Sequence, residues 1–245
     1  MKAYRAVLTF VALFGLQCDD SNPTSSTGST GSTGGTSTSL PSAFNHFVDA
    51  VTVSVQGTNI VLEAEGIPNH TSPYWGSSHA LYEAPHSGMV VNPNNIASQN
   101  LTFTIPLQPE VAPTISATSL GPVGIAVNGV VLYNQYAAGN APLTSEILSF
   151  DRRNGHPQNF GQYHYHIEPL FITENGSELV GFLLDGFPVY GQKDQNGTLP
   201  TDLDTAHGHT GVTHDYPDGT YHYHITTDAP YISDGYRGSP GTVTQ

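Results

Sequence analysis

The chain has 245 residues, enough for one or two domains, with 6 Lys and Arg against 20 Asp and Glu and a formal net charge of −14. So acidic a balance argues against nucleic acid and anionic membrane surfaces as partners and suits a soluble surface that attracts cations. Richness in Gly, Pro, Tyr, Ser and Thr, with little Lys or Met, predicts a mainly β, sandwich or barrel-like fold with few short helices.

Residues 1–17 have the pattern of an export signal. Lys2 and Arg5 form a positive start, and the apolar run Ala6 to Leu16 is too short to span a bilayer. Without Lys2 and Arg5 the chain carries 4 basic against 20 acidic residues, near −16. Cys18 follows directly and is the one cysteine, so a monomer can form no internal disulfide. Phe14-Gly15-Leu16-Gln17-Cys18 resembles a bacterial lipoprotein signal, with Gln17 larger than usual before the cleavage point; the alternative is a secretory signal with an incidental cysteine. Residues 19–39 are almost wholly Ser, Thr, Gly, Asn and Pro and predict a flexible tether. The expected location is extracytoplasmic, lipid-anchored to a bacterial membrane through Cys18, or otherwise secreted.

A single β-rich domain is expected over residues 40–245. Val51–Val55 and Ile60–Glu65, joined by Gln-Gly-Thr-Asn, predict a hairpin, and Leu101–Ile105 an alternating strand ended by Pro106. Residues 66–100 are irregular and proline-rich. Short helices are expected near Phe44–Ala50 and Thr144–Phe150. The asparagines of four Asn-x-Ser/Thr sequons, at 69, 100, 175 and 196, suit turns. Lys193–Asp204 fails the calcium-loop pattern and is expected to be a turn; no nucleophile elbow, P-loop or dinucleotide fingerprint is present.

The chain then repeats itself, over about 124–167 and 181–225. Gly124-Ile-Ala-Val-Asn-Gly-Val-Val-Leu-Tyr-Asn-Gln135 matches Gly181-Phe-Leu-Leu-Asp-Gly-Phe-Pro-Val-Tyr-Gly-Gln192, each predicting a hairpin with a primed turn. Tyr163-His164-Tyr165-His166-Ile167 returns as Tyr221-His222-Tyr223-His224-Ile225, 39 and 40 positions after the hairpin glycine. On a strand, each pair of histidines shares one face and each pair of tyrosines the other. His156 and His214 each lie seven residues before the first motif tyrosine, so the expected histidine sets are His156, His164 and His166, then His214, His222 and His224. His207 and His209, with Asp202 and Asp204, are possible extensions of the second set.

Neutral imidazoles suit copper or zinc, and three of them can form one face of a coordination sphere. Each repeat could build its own site, or the two strands could pool His164, His166, His222 and His224. Strand histidines that merely bond to one another and to backbone are the plainer alternative. The tyrosines are expected to pack.

Both Tyr-His-Tyr-His runs, Leu184-Asp-Gly-Phe-Pro-Val-Tyr-Gly191, Asp202-Leu-Asp204, Gly208-His209, Gly219-Thr-Tyr-His-Tyr-His224 and Tyr236-Arg-Gly238 resemble the YHYH domain proteins, exported and mostly bacterial. The resemblance covers about residues 110–240. It implies export and a β domain and supplies no established activity. The family pattern carries cysteines near Ala206 and Gly235, so a cross-link it implies elsewhere is missing here. The favoured function is transition-metal binding, copper or zinc, with membrane contact through a lipid anchor alone. A metal-dependent hydrolase or oxidase, with Asp204 or Asp185 as acid/base partner, is the second reading. A surface interaction module with structural histidines is the third.

Overall fold

Alternation organises the first sheet. In the computed structural model, which describes residues 39–245, Ile60, Leu62 and Ala64 sit opposite Ile105, Phe103 and Leu101 across an antiparallel ladder, all six buried. The export segment, Cys18 and nearly all of the tether lie outside the described residues.

The principal strands in chain order are β1 (Thr52–Gln56), β2 (Asn59–Ala64), β3 (Leu101–Pro106), β4 (Pro122–Ala126), β5 (Val131–Tyr133) and β6 (Gly155–Pro157). They continue with β7 (Tyr163–Tyr165), β8 (Leu179–Leu183), β9 (Pro188–Tyr190), β10 (Gly208–Gly211), β11 (Thr220–His224) and β12 (Thr242–Thr244). One sheet runs β1-β2-β3-β12 and the other β10-β11-β9-β8-β4-β5-β7-β6, with no closed barrel among the described residues. The expected helices are single 3₁₀ turns, Ser42–His46 and Glu146–Ser149.

One buried cluster holds both sheets together. It includes Leu62 and Phe103 from the smaller sheet and Ile125, Phe182 and all four motif tyrosines from the larger. Phe44 stacks on Phe182 with ring centroids 4.1 Å apart. Burying each such ring contributes about 2 kcal/mol. Strand alternation therefore commits the tyrosines to the core and turns the histidines to the other face of the sheet.

The duplication becomes a pseudo-twofold. The order of the larger sheet is symmetric about the β8–β4 junction, where Gly181, Phe182 and Leu183 pair antiparallel with Ala126, Ile125 and Gly124. Ile125 and Phe182 are equivalent positions, so the axis passes through their pair. A Cβ on Gly124 would strike the Phe182 carbonyl, and one on Gly181 the Ile125 carbonyl, which explains a glycine at each place. In each repeat the hairpin's second strand runs parallel to a Tyr-His-Tyr-His strand, β5 to β7 and β9 to β11. A short antiparallel strand then closes each end of the sheet, β6 on β7 and β10 on β11. Five inter-strand spacings separate β7 from β11, about 24 Å. The pooled arrangement is therefore overturned: the two strands never meet.

Candidate metal centres

The third histidine of each repeat comes from the edge strand. His156 sits directly opposite His164, and His209 directly opposite His222. An aspartate-led turn delivers each. Asp151 accepts from the backbone N–H of Arg153 at 2.8 Å, and Asp204 from that of Ala206 at 2.9 Å. Asn154 and His207 then take left-handed φ values of 64° and 63°, and a glycine and the ligand-position histidine follow. The same aspartates anchor the core tyrosines: the Tyr163 hydroxyl donates to Asp151 at 2.7 Å and the Tyr221 hydroxyl to Asp204 at 3.0 Å. A Cβ on Gly155 would overlap the Tyr163 ring, and one on Gly208 the Tyr221 hydroxyl. Gly155→Ala is accordingly expected to lose about 1–3 kcal/mol in denaturant unfolding; an unchanged midpoint would contradict this packing.

Among the described residues, two groups bring ligand atoms within 4.8 Å of one another: Glu146 with His156, His164 and His166, and Asp194 with His209, His222 and His224. In the first, Nε2 of His164 lies 3.0 Å from Nε2 of both His156 and His166. In the second, Nε2 of His209 lies 3.1 Å from that of His222 and 3.3 Å from that of His224. Glu146 Oε1 is 3.2 Å from His156 Nε2, and Asp194 Oδ1 is 3.2 and 3.3 Å from Nε2 of His209 and His224.

Hydrogen bonding on the far side of each ring decides what these nitrogens carry. Nδ1–H of His164 donates to the Gln162 carbonyl and that of His222 to the Thr220 carbonyl, both at 3.1 Å. His166 donates to the Asn134 carbonyl at 2.6 Å and His224 to the Gly191 carbonyl at 2.8 Å, from equivalent positions of the two repeats. The Ser149 hydroxyl donates to the Glu146 carbonyl at 2.7 Å, so its oxygen accepts from His156 Nδ1–H, also at 2.7 Å. His209 Nδ1–H donates to the Asp202 carboxylate at 2.8 Å. A neutral imidazole has one N–H, so His164, His166, His222 and His224 point bare Nε2 lone pairs into their clusters. Such contacts repel unless a cation lies between them. The hydrogen-bonding contact with His156 holds the Glu146 carboxyl below its ordinary range, while His164 and His166 keep bare Nε2 atoms.

Burial keeps His164, His166, His222 and His224 uncharged. Desolvation first, then the neighbouring imidazoles, holds His164 well below the ordinary histidine range. Desolvation likewise brings His166 and His222 down to about 4 and lowers His224. A ring that needs no deprotonation at neutral pH is prepared to bind metal. Metal–nitrogen bonds of about 2.0–2.1 Å set ligand atoms about 3.0 Å apart at a right angle and about 3.4 Å at the tetrahedral angle. The Nε2 separations of 3.0–3.3 Å fall within that interval.

Of the residues expected from sequence, His156, His164 and His166 converge as one set, and His222 and His224 converge with His209. His214 lies outside the ligand group: it is exposed, on the segment after β10, and only borders the small cavity beside His222 and His224. Asp204 also stands apart, held by the Tyr221 hydroxyl, its own turn and, at 3.5 Å, the Arg237 guanidinium. Asp185 lies in the core, accepting from the backbone N–H groups of Arg237 at 3.0 Å and Gly238 at 2.9 Å and from the Tyr223 hydroxyl. Neither aspartate faces the histidines. Glu146 and Asp194 went unrecognised as partners, although Glu146 lies in the expected 144–150 helix and Asp194 in the turn rejected as a calcium loop.

The family model described as YHYH protein matches residues 102–201 and 195–238, more than half of the chain. The chain belongs to the YHYH family. No curated protein and no solved structure matches it. In this YHYH protein the motif has a division of labour: tyrosines that secure the core and the aspartate turns, and histidines that form the two clusters. Arg237 and Gly238 of the Tyr-Arg-Gly segment close over Asp185 behind the second cluster.

The two clusters differ in what lies above them. A cleft of about 790 Å³ opens on the first and is lined by its three histidines and Glu146. The cavity touching His222, His224 and Asp194 measures about 10 Å³, room for about one water.

Proposed function

We propose that this YHYH protein is an extracytoplasmic transition-metal-binding protein, holding copper or zinc at two separate centres of three histidines and one carboxylate. The observation that carries the reading is the orientation of six imidazoles, each with Nδ1 against an outer hydrogen-bond partner and Nε2 turned inward. Such outer hydrogen bonds fix the tautomer and raise ligand basicity at metal centres. Neither group contains sulfur; nitrogen with one carboxylate oxygen suits Zn(II) or Cu(II) better than Cu(I). Export and a tether at Cys18 are proposed on the sequence pattern of residues 1–39.

Metal analysis of the tag-free domain, offered copper and zinc and then dialysed, is expected to return about two equivalents per chain. The paired substitution His164→Ala/His222→Ala should return none. Wild type without stoichiometric metal would overturn the proposal.

A second reading, a metal-dependent hydrolase or oxidase, is favoured by one feature: the cleft over the first centre. There the chain would supply three imidazoles to hold the metal, with Glu146 able to complete the set or take up a proton. The metal would supply Lewis acidity or redox chemistry.

A further inference from the structure

The two centres each bring together three histidines and one carboxylate, so differences between them report what each is for. Over the second, the 191–198 segment is pinned down. Gly191 N–H donates to the Glu178 carbonyl at 3.0 Å, Lys193 N–H to the Gly176 carbonyl at 2.7 Å, and Asp194 N–H to the Thr198 carbonyl at 2.9 Å. His209 is slightly more exposed than His156, 11% against 4% of the side chain, and the space beside His222, His224 and Asp194 measures about 10 Å³.

The first centre opens into a space large enough for a small molecule, about 790 Å³. Its walls carry neutral hydrogen-bonding groups, including Asn94, Gln158, Asn159 and Tyr136, and among the described residues contain no Lys or Arg. Tyr133 stacks on His164 at 4.0 Å between centroids, and its hydroxyl donates to the Gln162 side-chain oxygen at 2.5 Å. An anion entering here would meet Glu146 with no lysine or arginine to receive it; a neutral molecule with hydroxyl or amide groups would find partners along the wall.

Resting on the metal reading, we propose that the first centre is the exchangeable one, keeping a coordination position open to a small uncharged oxygen- or nitrogen-donor molecule in the cleft. The second is closed and structural.

Cobalt(II), whose visible spectrum reports its coordination, provides the test, in wild type, in His209→Ala (first centre alone) and in His156→Ala (second centre alone). Imidazole at pH 8 serves as the neutral probe and azide as the anionic one. Imidazole is expected to shift the visible band of His209→Ala with cobalt retained, at a concentration at least tenfold below that at which azide acts. The spectrum of His156→Ala should be unchanged. In wild type about half of the absorbance should respond, which serves if either variant fails to fold. A response at the second centre, equal responses to the two probes, or a silent first centre with cobalt bound would overturn the proposal. Failure to bind cobalt in stoichiometric amount would instead sink the metal reading beneath it.

Discussion

His209→Ala is expected to abolish metal binding at the second centre while His214→Ala leaves it unchanged. Both residues are histidines of the same repeat, and His214 is the one in step with His156 when counted back from the motif. In space, His209 Nε2 lies 3.1 and 3.3 Å from those of His222 and His224, while His214 is an exposed loop residue. Outer-shell changes alone weaken metal sites by 10–100-fold, so removal of a ligand should cost more than about 100-fold at that centre. Competition titration against a chromophoric chelator should show one equivalent lost in His209→Ala and two retained in His214→Ala. The reverse pattern would mean that the 207–214 segment is arranged otherwise. Asp202→Asn provides a graded case: it keeps an acceptor for His209 Nδ1–H but removes the charge, and should weaken this centre about tenfold.

Acid is expected to destabilise the metal-free domain well before its carboxyls titrate. His164, His166, His222 and His224 all lie below the ordinary histidine range in the folded protein, His166 and His222 at about 4, with burial the leading cause. Released by unfolding, they titrate near 6.5. Between these limits the unfolded chain binds more protons than the folded one, so stability rises with pH there and falls on acidification from about 6.5 to about 4. His166 alone accounts for a loss on the order of 3 kcal/mol. Denaturant midpoints of the metal-free domain at pH 7 and pH 5 should differ clearly, and those of His166→Gln should differ less. Bound metal adds stability at pH 7 and competes with the same protons, so loaded and metal-free midpoints should converge as pH approaches about 4. Identical midpoints for the metal-free domain at pH 7 and pH 5 would show that these rings are not buried neutral.

Much of the fold was legible because it rests on local pattern. The hairpin pattern of Val51–Val55 and Ile60–Glu65 and the alternation at Leu101–Ile105 marked the smaller sheet, and the repeated Asn-Gly and Asp-Gly turns marked the two hairpins. The Tyr-His-Tyr-His repeat established that tyrosines and histidines face opposite ways, since strand geometry leaves no alternative. The edge strands were not legible, because Gly155–Pro157 and Gly208–Gly211 are too short to show a period.

The convergence of His209, and not His214, with His222 and His224 has a specific cause. His156 precedes its strand partner His164 by 8 positions, and His209 precedes His222 by 13. The longer return loop of the second repeat is nearly offset by a shorter connector before it, so the hairpin-to-motif distances stay at 39 and 40. A count from the motif therefore lands on His214. The reliable signal was the turn itself, Asp151-x-x-Asn-Gly-His156 against Asp204-x-x-His-Gly-His209, which carries its histidine whatever the loop length.

By itself the sequence determined a duplicated β domain with a doubled Tyr-His-Tyr-His strand, because turn chemistry and a period of two are local properties. Tertiary structure decided the rest. It placed the repeats back to back about Ile125 and Phe182, so that the clusters form two centres and not one. It brought Glu146, from a 3₁₀ turn, and Asp194, from the 191–198 segment, to the histidines. It also opened a cleft over one centre and closed the other, since these contacts depend on which strands become neighbours and how each connector crosses the sheet.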